Sequence, residues 1–91
     1  MCRNIRVLHH FSPPTTEEEI RAAALQFVRK VSGMNKPTQV DEESFARAIE
    51  EIAASTSRLL GVLHPPRGPA RTREHEREKA RRRWEQRVAR G

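Results

Sequence analysis

The side chains with the most reactive chemistry stand near the start of the sequence, in the stretch MCRNIRVLHHF. Cys2 is the single cysteine of the 91 residues, and His9 and His10 follow it in the same run. If Met1 is removed, Cys2 carries both a thiol and a free amine, a pair that chelates metals or acts as a nucleophile with its own base. The alternative is a small apolar anchor, which is the commoner use of a free cysteine.

A metal site formed by Cys2 and His10 meets a distance problem. On an extended strand the two residues share a face, but at about 3.3 Å per residue they lie about 26 Å apart. Pairing of this strand with the same strand of a second subunit would bring Cys2 of one copy beside His10 of the other. Cys2 and His10 therefore form a thiol or metal hypothesis, and the sequence predicts no other cofactor.

The second reactive group is a set of cations near the end of the sequence. Residues 67–91 hold ten Arg or Lys and four Glu, whereas residues 1–66 hold eight charges of each sign, so the net charge of +6 comes entirely from the last quarter. Arginine-rich helices bind phosphates, and an indole among them stacks on bases. The predicted nucleic-acid-binding residues are Arg73, Arg77, Lys79, Arg81, Arg82, Arg83, Trp84 and Arg87. The alternatives are a solvated charged helix and electrostatic attraction to an anionic membrane.

No catalytic constellation is complete in this sequence. It contains no glycine-rich phosphate loop, no HExxH motif and no supported Ser/His/Asp arrangement. The acidic clusters at residues 17–19 and 42–43 fall in the first turns of predicted helices, where carboxylates interact favourably with the helix dipole. An enzyme is therefore the less favoured interpretation. No apolar run has transmembrane length, and residues 1–11 are too short and too charged for a signal peptide, so we expect a cytoplasmic protein.

Two amphipathic helices with explicit start signals must position these groups. Thr15 or Thr16 caps the first helix, with Glu18 or Glu19 completing a capping box, and Gly33 ends it. The second helix begins at Asp41 and ends before Pro65. Val40 and Phe45 have the spacing of a hydrophobic staple at its start. Together the two helices predict an αα-hairpin, with the opening segment extended or in a strand over part of the seam.

Four features of the sequence occur together: MCRNI, the pattern Phe11-x-Pro13-Pro14, EEIRAAALQFVRKVSG, and Phe45 with the later RLL. In this combination they resemble a small bacterial family catalogued as domain of unknown function 2277, and the likeness covers about residues 1–63. It implies that Cys2, Arg3, Asn4, Gln26, Arg29 and Lys30 belong to the family pattern. Members usually read His-Asn-Phe or Phe-Asn-Phe where this chain has His9-His10-Phe11, which disfavours His10 as a ligand. The resemblance implies no activity.

These observations predict a mainly α-helical protein in three parts. Residues 1–63 form a compact helical-hairpin domain, residues 64–71 a Pro/Gly-rich linker, and residues 72–91 a basic helical tail. Two helices cover their apolar stripes only in part, so we expect a homodimer. The favoured function is a non-enzymatic interaction module whose tail contacts nucleic acid or a ribonucleoprotein. The alternative is a thiol- or metal-dependent protein that uses Cys2.

Overall fold

A computed structural model describes residues 5–90 of the chain. These residues form three α-helices: α1 (Glu17–Ser32), α2 (Glu42–Val62) and α3 (Arg73–Arg90), with a short 3-10 turn (Gln39–Asp41) directly before α2. Helices α1 and α2 pack against each other as a hairpin. The structure thus confirms the mainly helical fold, the hairpin and the C-terminal helix that the sequence predicted.

The ends of α1 follow the predicted signals. The Thr16 side chain accepts a hydrogen bond from the Glu19 amide, and the Glu19 carboxylate accepts one from the Thr16 amide at 2.8 Å, which completes the capping box. At the other end Gly33 has a φ of 73°, a left-handed conformation, and its amide donates to the Arg29 carbonyl. This conformation is available to glycine without a steric penalty, which explains why the helix ends there.

The start of α2 differs from the prediction in two ways. Asp41 occupies the N-cap position, but its side chain makes no capping hydrogen bond to the helix. It accepts one from the Thr38 hydroxyl at 3.2 Å instead, which ties it to the preceding 3-10 turn. Val40 is 91% exposed, so the predicted staple onto Phe45 is wrong. Because the 3-10 turn places Val40 in solvent, it has no partner to pack on.

The core of the hairpin is small. Ile20, Ala24 and Ala53 form its buried cluster, and Leu8 from the opening segment packs against them together with Ile49, Ile52 and Leu60. The predicted cover over part of the seam is therefore supplied by Leu8. On one side of the seam the hairpin is polar, with Arg21 paired to Glu50 and the Ser57 hydroxyl donating to Glu17 at 3.2 Å.

The opposite side of the seam is apolar and open. With successive side chains about 100° apart around a helix, Phe27 of α1 and Leu59 of α2 project away from the polar side, and Val31 lies about one turn beyond Phe27. Phe27 is 46% exposed, Val31 65% and Leu59 52%. A helix pair in water normally buries such a stripe against another element. Within residues 5–90, Ile52 packs on the core cluster, whereas Phe27, Val31 and Leu59 stay exposed.

The opening segment is extended rather than part of a sheet. No strand forms within residues 5–90, and one isolated parallel bridge joins Phe11 to Arg71. His10 has a φ of 64°, which interrupts the regular alternation of faces that a strand would need. Of the two predicted forms of this segment, the extended one is therefore observed.

The molecule is flat and open for its size. Its Cα radius of gyration is 15.8 Å, against about 12 Å for a compact domain of this length. No helix of the described part combines the length and apolar character needed to cross a membrane.

Candidate nucleic-acid interface

Two sets of hydrogen bonds fix the start of helix α3. The Thr72 hydroxyl accepts a hydrogen bond from the His75 amide at 3.2 Å, which caps the helix. The next residue, Arg73, points back to α1: its Nε and one terminal nitrogen each donate to Glu19 at 2.8 Å. The same guanidinium donates to the carbonyls of Pro13 and Pro14 and lies 5.3 Å from the centre of the Phe11 ring. We call this contact set the Arg73 anchor.

The Arg73 anchor changes the acidity of Glu19. Hydrogen bonds from Arg73 and from the Thr16 amide stabilise the ionised carboxylate and lower the pKa of Glu19 from 4.5 to about 2. The same pairing raises the pKa of Arg73 above its usual value. Glu19 therefore serves two elements at once, since it caps α1 and holds the start of α3.

The segment between α2 and α3 is fixed to the opening segment by further hydrogen bonds. The Arg71 amide donates to the His10 carbonyl at 2.8 Å, and the Ser12 amide donates to the Arg71 carbonyl at 2.9 Å. The Arg71 guanidinium also donates to the His9 carbonyl at 2.6 Å. These bonds hold Arg71, the last residue of the Pro/Gly-rich segment, against the opening segment shortly before α3 begins.

Beyond its anchored first turns, α3 projects into solvent. Every residue from Ala80 to Arg90 is exposed. Residues 81–90 contain five arginines and one glutamate, a net charge of +4. Trp84 is 58% exposed and Val88 56%, so neither takes part in the core. The structure thus presents a cationic half-helix, residues 80–90, with an accessible indole near its middle.

The predicted nucleic-acid-binding cations fall into three groups. Arg73 is engaged in the anchor. Lys79 pairs with Glu76 at 3.2 Å and Arg81 with Glu78 at 2.6 Å, each with a neighbour on the same helix. The remaining predicted cations make no ion pair with another described residue: they are Arg77, Arg82, Arg83 and Arg87.

An open groove of about 860 Å³ runs between residues 5–7 and the first half of α3. The lining side chains include five cations and three glutamates. Arg6 is the cation that the opening segment contributes, and it was not among the sequence-predicted binding residues. The groove has mixed charge, so the predominantly cationic part of α3 begins only after Glu78.

The structure describes only one of the two residues of the thiol or metal hypothesis. Cys2 lies outside the described residues. The His10 ring nitrogen lies 3.3 Å from the Gly68 carbonyl, and the His9 ring nitrogen lies 3.1 Å from the His64 carbonyl. No group of three or more His, Cys, Asp or Glu within residues 5–90 has the arrangement to hold a metal ion. Both histidines are thus seen in contacts with the Pro/Gly-rich segment.

The Arg73 anchor is the feature that sequence reasoning missed. Arg73 was grouped with the cations of the tail because it shares their charge and helix. Its partner Glu19 is 54 residues away and was already explained as a helix cap. The local signal was Thr72, a good N-cap residue, which marks Arg73 as the first residue of the helix rather than a projecting one.

Comparison with known proteins gives a family and no further relatives. A search of curated proteins and a search of solved structures each found no match to this chain. A family model described as an uncharacterised conserved protein, DUF2277, matches residues 1–79. The match runs beyond the expected limit near residue 63, so it includes the Arg73 anchor and stops just before the cationic half-helix. The chain therefore belongs to the DUF2277 family.

Proposed function

We propose that this chain is a non-enzymatic interaction protein that contacts nucleic acid through the cationic half-helix of α3. The observation that carries the proposal is the exposure of every residue from Ala80 to Arg90 in a stretch of net charge +4. The like charges of an isolated cationic helix repel one another, and this repulsion does not stabilise the fold. Phosphates supply the counter-charge, and binding them releases condensed counterions, which drives association.

The Arg73 anchor supports this proposal from the structural side. A basic tail on a free linker would pay the full entropy of ordering when it meets a phosphate backbone. Here the first turn of α3 is capped by Thr72 and held by Glu19. The anchor orients the arginines before any ligand arrives and lowers that cost. A ribonucleoprotein or a free nucleic acid in the cytoplasm would offer the phosphates.

The experiment is a salt titration of binding to a fluorescently labelled oligonucleotide, read by anisotropy with the full chain. Four to five phosphate contacts predict a slope of log K against log salt between about −3 and −4.5, depending on whether the strand is single or double. The variant Arg82→Gln/Arg87→Gln should reduce the magnitude of the slope by about 1.5. Glutamine is chosen because it maintains helix propensity at these exposed positions.

The matched control removes the same charge from the hairpin. Arg47 and Arg58 are exposed on α2 and make no ion pair with another described residue. The variant Arg47→Gln/Arg58→Gln should leave both affinity and slope unchanged. Equal losses in the two double variants would show that net charge alone attracts the oligonucleotide, and the proposed role of α3 would be wrong.

A homodimer is part of this proposal. The exposed apolar side chains of the hairpin, Phe27 and Val31 near one end and Leu59 near the other, supply a surface for a second copy. Two copies joined there would carry two cationic half-helices and bind a long phosphate backbone more tightly than one copy does.

A further inference from the structure

The cationic half-helix carries one apolar stripe. Ala80, Trp84 and Val88 follow one another at intervals of four residues and so lie on one face of α3. Trp84 is 58% exposed, and it lies outside the hairpin core cluster. With about 100° per residue, Arg81 and Arg87 stand about 60° to either side of Trp84, and about 9 Å apart along the axis. The indole is thus flanked by guanidinium groups on both sides.

We infer that the ligand of α3 is a single-stranded nucleic acid, with an unpaired base stacked on Trp84 and neighbouring phosphates held by Arg81 and Arg87. This rests on the proposed function, because it names the class of nucleic acid that the same surface takes. A flat aromatic face stacks on a base only where that base is free of its neighbours. In a duplex both faces of each base are already stacked, so the duplex offers α3 phosphates and leaves the indole without a partner.

The positions of the flanking cations also favour a single strand over a duplex. Because both arginines lie on the same half of the helix surface as Trp84, one segment of backbone that passes over the stripe can meet all three side chains. Arg81 also pairs with Glu78 at 2.6 Å; this pair is exposed and contributes little, so a phosphate can replace the carboxylate. An apolar stripe of one alanine, one valine and one tryptophan is too narrow to enter a lipid bilayer strongly. Charge and stacking together favour the single strand.

Intrinsic fluorescence tests this inference directly. Trp84 is the single tryptophan of the chain, which also has no tyrosine, so the emission of the full-length protein reports Trp84 alone. The probes are twelve-nucleotide oligo-dT and oligo-U, a DNA duplex of equal length, and vesicles of equal parts phosphatidylcholine and phosphatidylglycerol. We expect both single strands to quench the emission, since stacking on a base quenches an indole. The duplex should bind with little quenching, and the vesicles should leave the spectrum unchanged.

Two variants separate stacking from charge when labelled oligonucleotides are followed by anisotropy. Trp84→Ala should weaken single-strand binding about 5- to 150-fold while duplex binding changes little. Trp84→Phe keeps an aromatic face and should recover most of the loss. Circular dichroism of each variant checks that α3 remains helical.

Different experimental results would contradict this inference and the proposed function. Equal affinity of wild type for single strand and duplex, with unchanged Trp84 emission, would leave phosphate binding intact and overturn the stacking role. A spectral shift with vesicles but none with oligonucleotides would overturn it in favour of a membrane surface. No salt-dependent binding to any nucleic acid would overturn the proposed function itself.

Discussion

At the residue scale, Glu19 is the side chain on which two elements depend. Its carboxylate accepts from the Thr16 amide and from two nitrogens of Arg73. A glutamine at this position keeps an oxygen for the cap but loses the charge that holds Arg73. The substitution Glu19→Gln therefore separates the capping role of residue 19 from its role in the Arg73 anchor.

The lowered pKa of Glu19 predicts how stability depends on pH. The pKa is about 2 in the folded chain and 4.5 when unperturbed, so the ionised carboxylate stabilises the fold above pH 4.5. This contribution is lost as the pH falls from about 4.5 through about 2. We expect wild type to lose stability over this range, whereas Glu19→Gln should be less stable at neutral pH and lose less on acidification. The measurement is urea unfolding followed by circular dichroism at pH 7, 4.5 and 3.

The control for this prediction is Glu18→Gln in the same first turn. Glu18 is exposed and forms no ion pair with another described residue. Its variant should follow the wild-type pH profile. Identical profiles for wild type and Glu19→Gln would mean that Arg73 contributes no measurable stability through this carboxylate.

At the element scale, two glycines offer a test of helix termination. Gly33 and Gly61 both have nothing within 4 Å of the position a Cβ would occupy, but Gly33 has a φ of +73° and Gly61 lies within α2. We expect Gly33→Ala to destabilise the chain by about 1 kcal/mol, because an L-residue is strained in the left-handed region. Gly61→Ala should stabilise by about 0.5 kcal/mol, because alanine loses less backbone entropy in a helix. Free energies of unfolding from urea titrations measure both effects, and a shared sign for the two variants would contradict this explanation.

The same elements show what the sequence predicts and what it does not. The capping box at Thr16 and Glu19 and the left-handed Gly33 depend on residues a few positions apart, so single-sequence rules identified them. The exposure of Val40 accompanies the 3-10 turn, a local structure that the capping and staple patterns do not predict. The Arg73 anchor joins residues from distant parts of the chain, and charge alone cannot indicate which of many arginines pairs with which glutamate.

At the scale of the whole molecule, the exposed surface is larger than that of a compact monomer. The chain exposes 7525 Å², whereas a compact monomer of 10.5 kDa exposes about 5,400 Å². Part of the excess belongs to the projecting α3. The rest includes apolar side chains of the hairpin, since Phe27, Val31 and Leu59 are each more than two-fifths exposed. A stable interface requires about 800 Å² from each partner, which this excess can supply.

A matched pair of valines tests whether a second copy covers this face. Val31, 65% exposed, lies on the open side of α1, whereas Val40, 91% exposed, lies in the turn before α2. Sedimentation equilibrium of wild type over a range of concentrations should give a monomer–dimer equilibrium. Val31→Glu should shift it to monomer, because the dimer would bury an unpaired carboxylate. Val40→Glu adds the same charge outside the face and should sediment as wild type does. A wild-type chain that stays at 10.5 kDa throughout, or equal behaviour of the two variants, would show that this face does not bind a second copy.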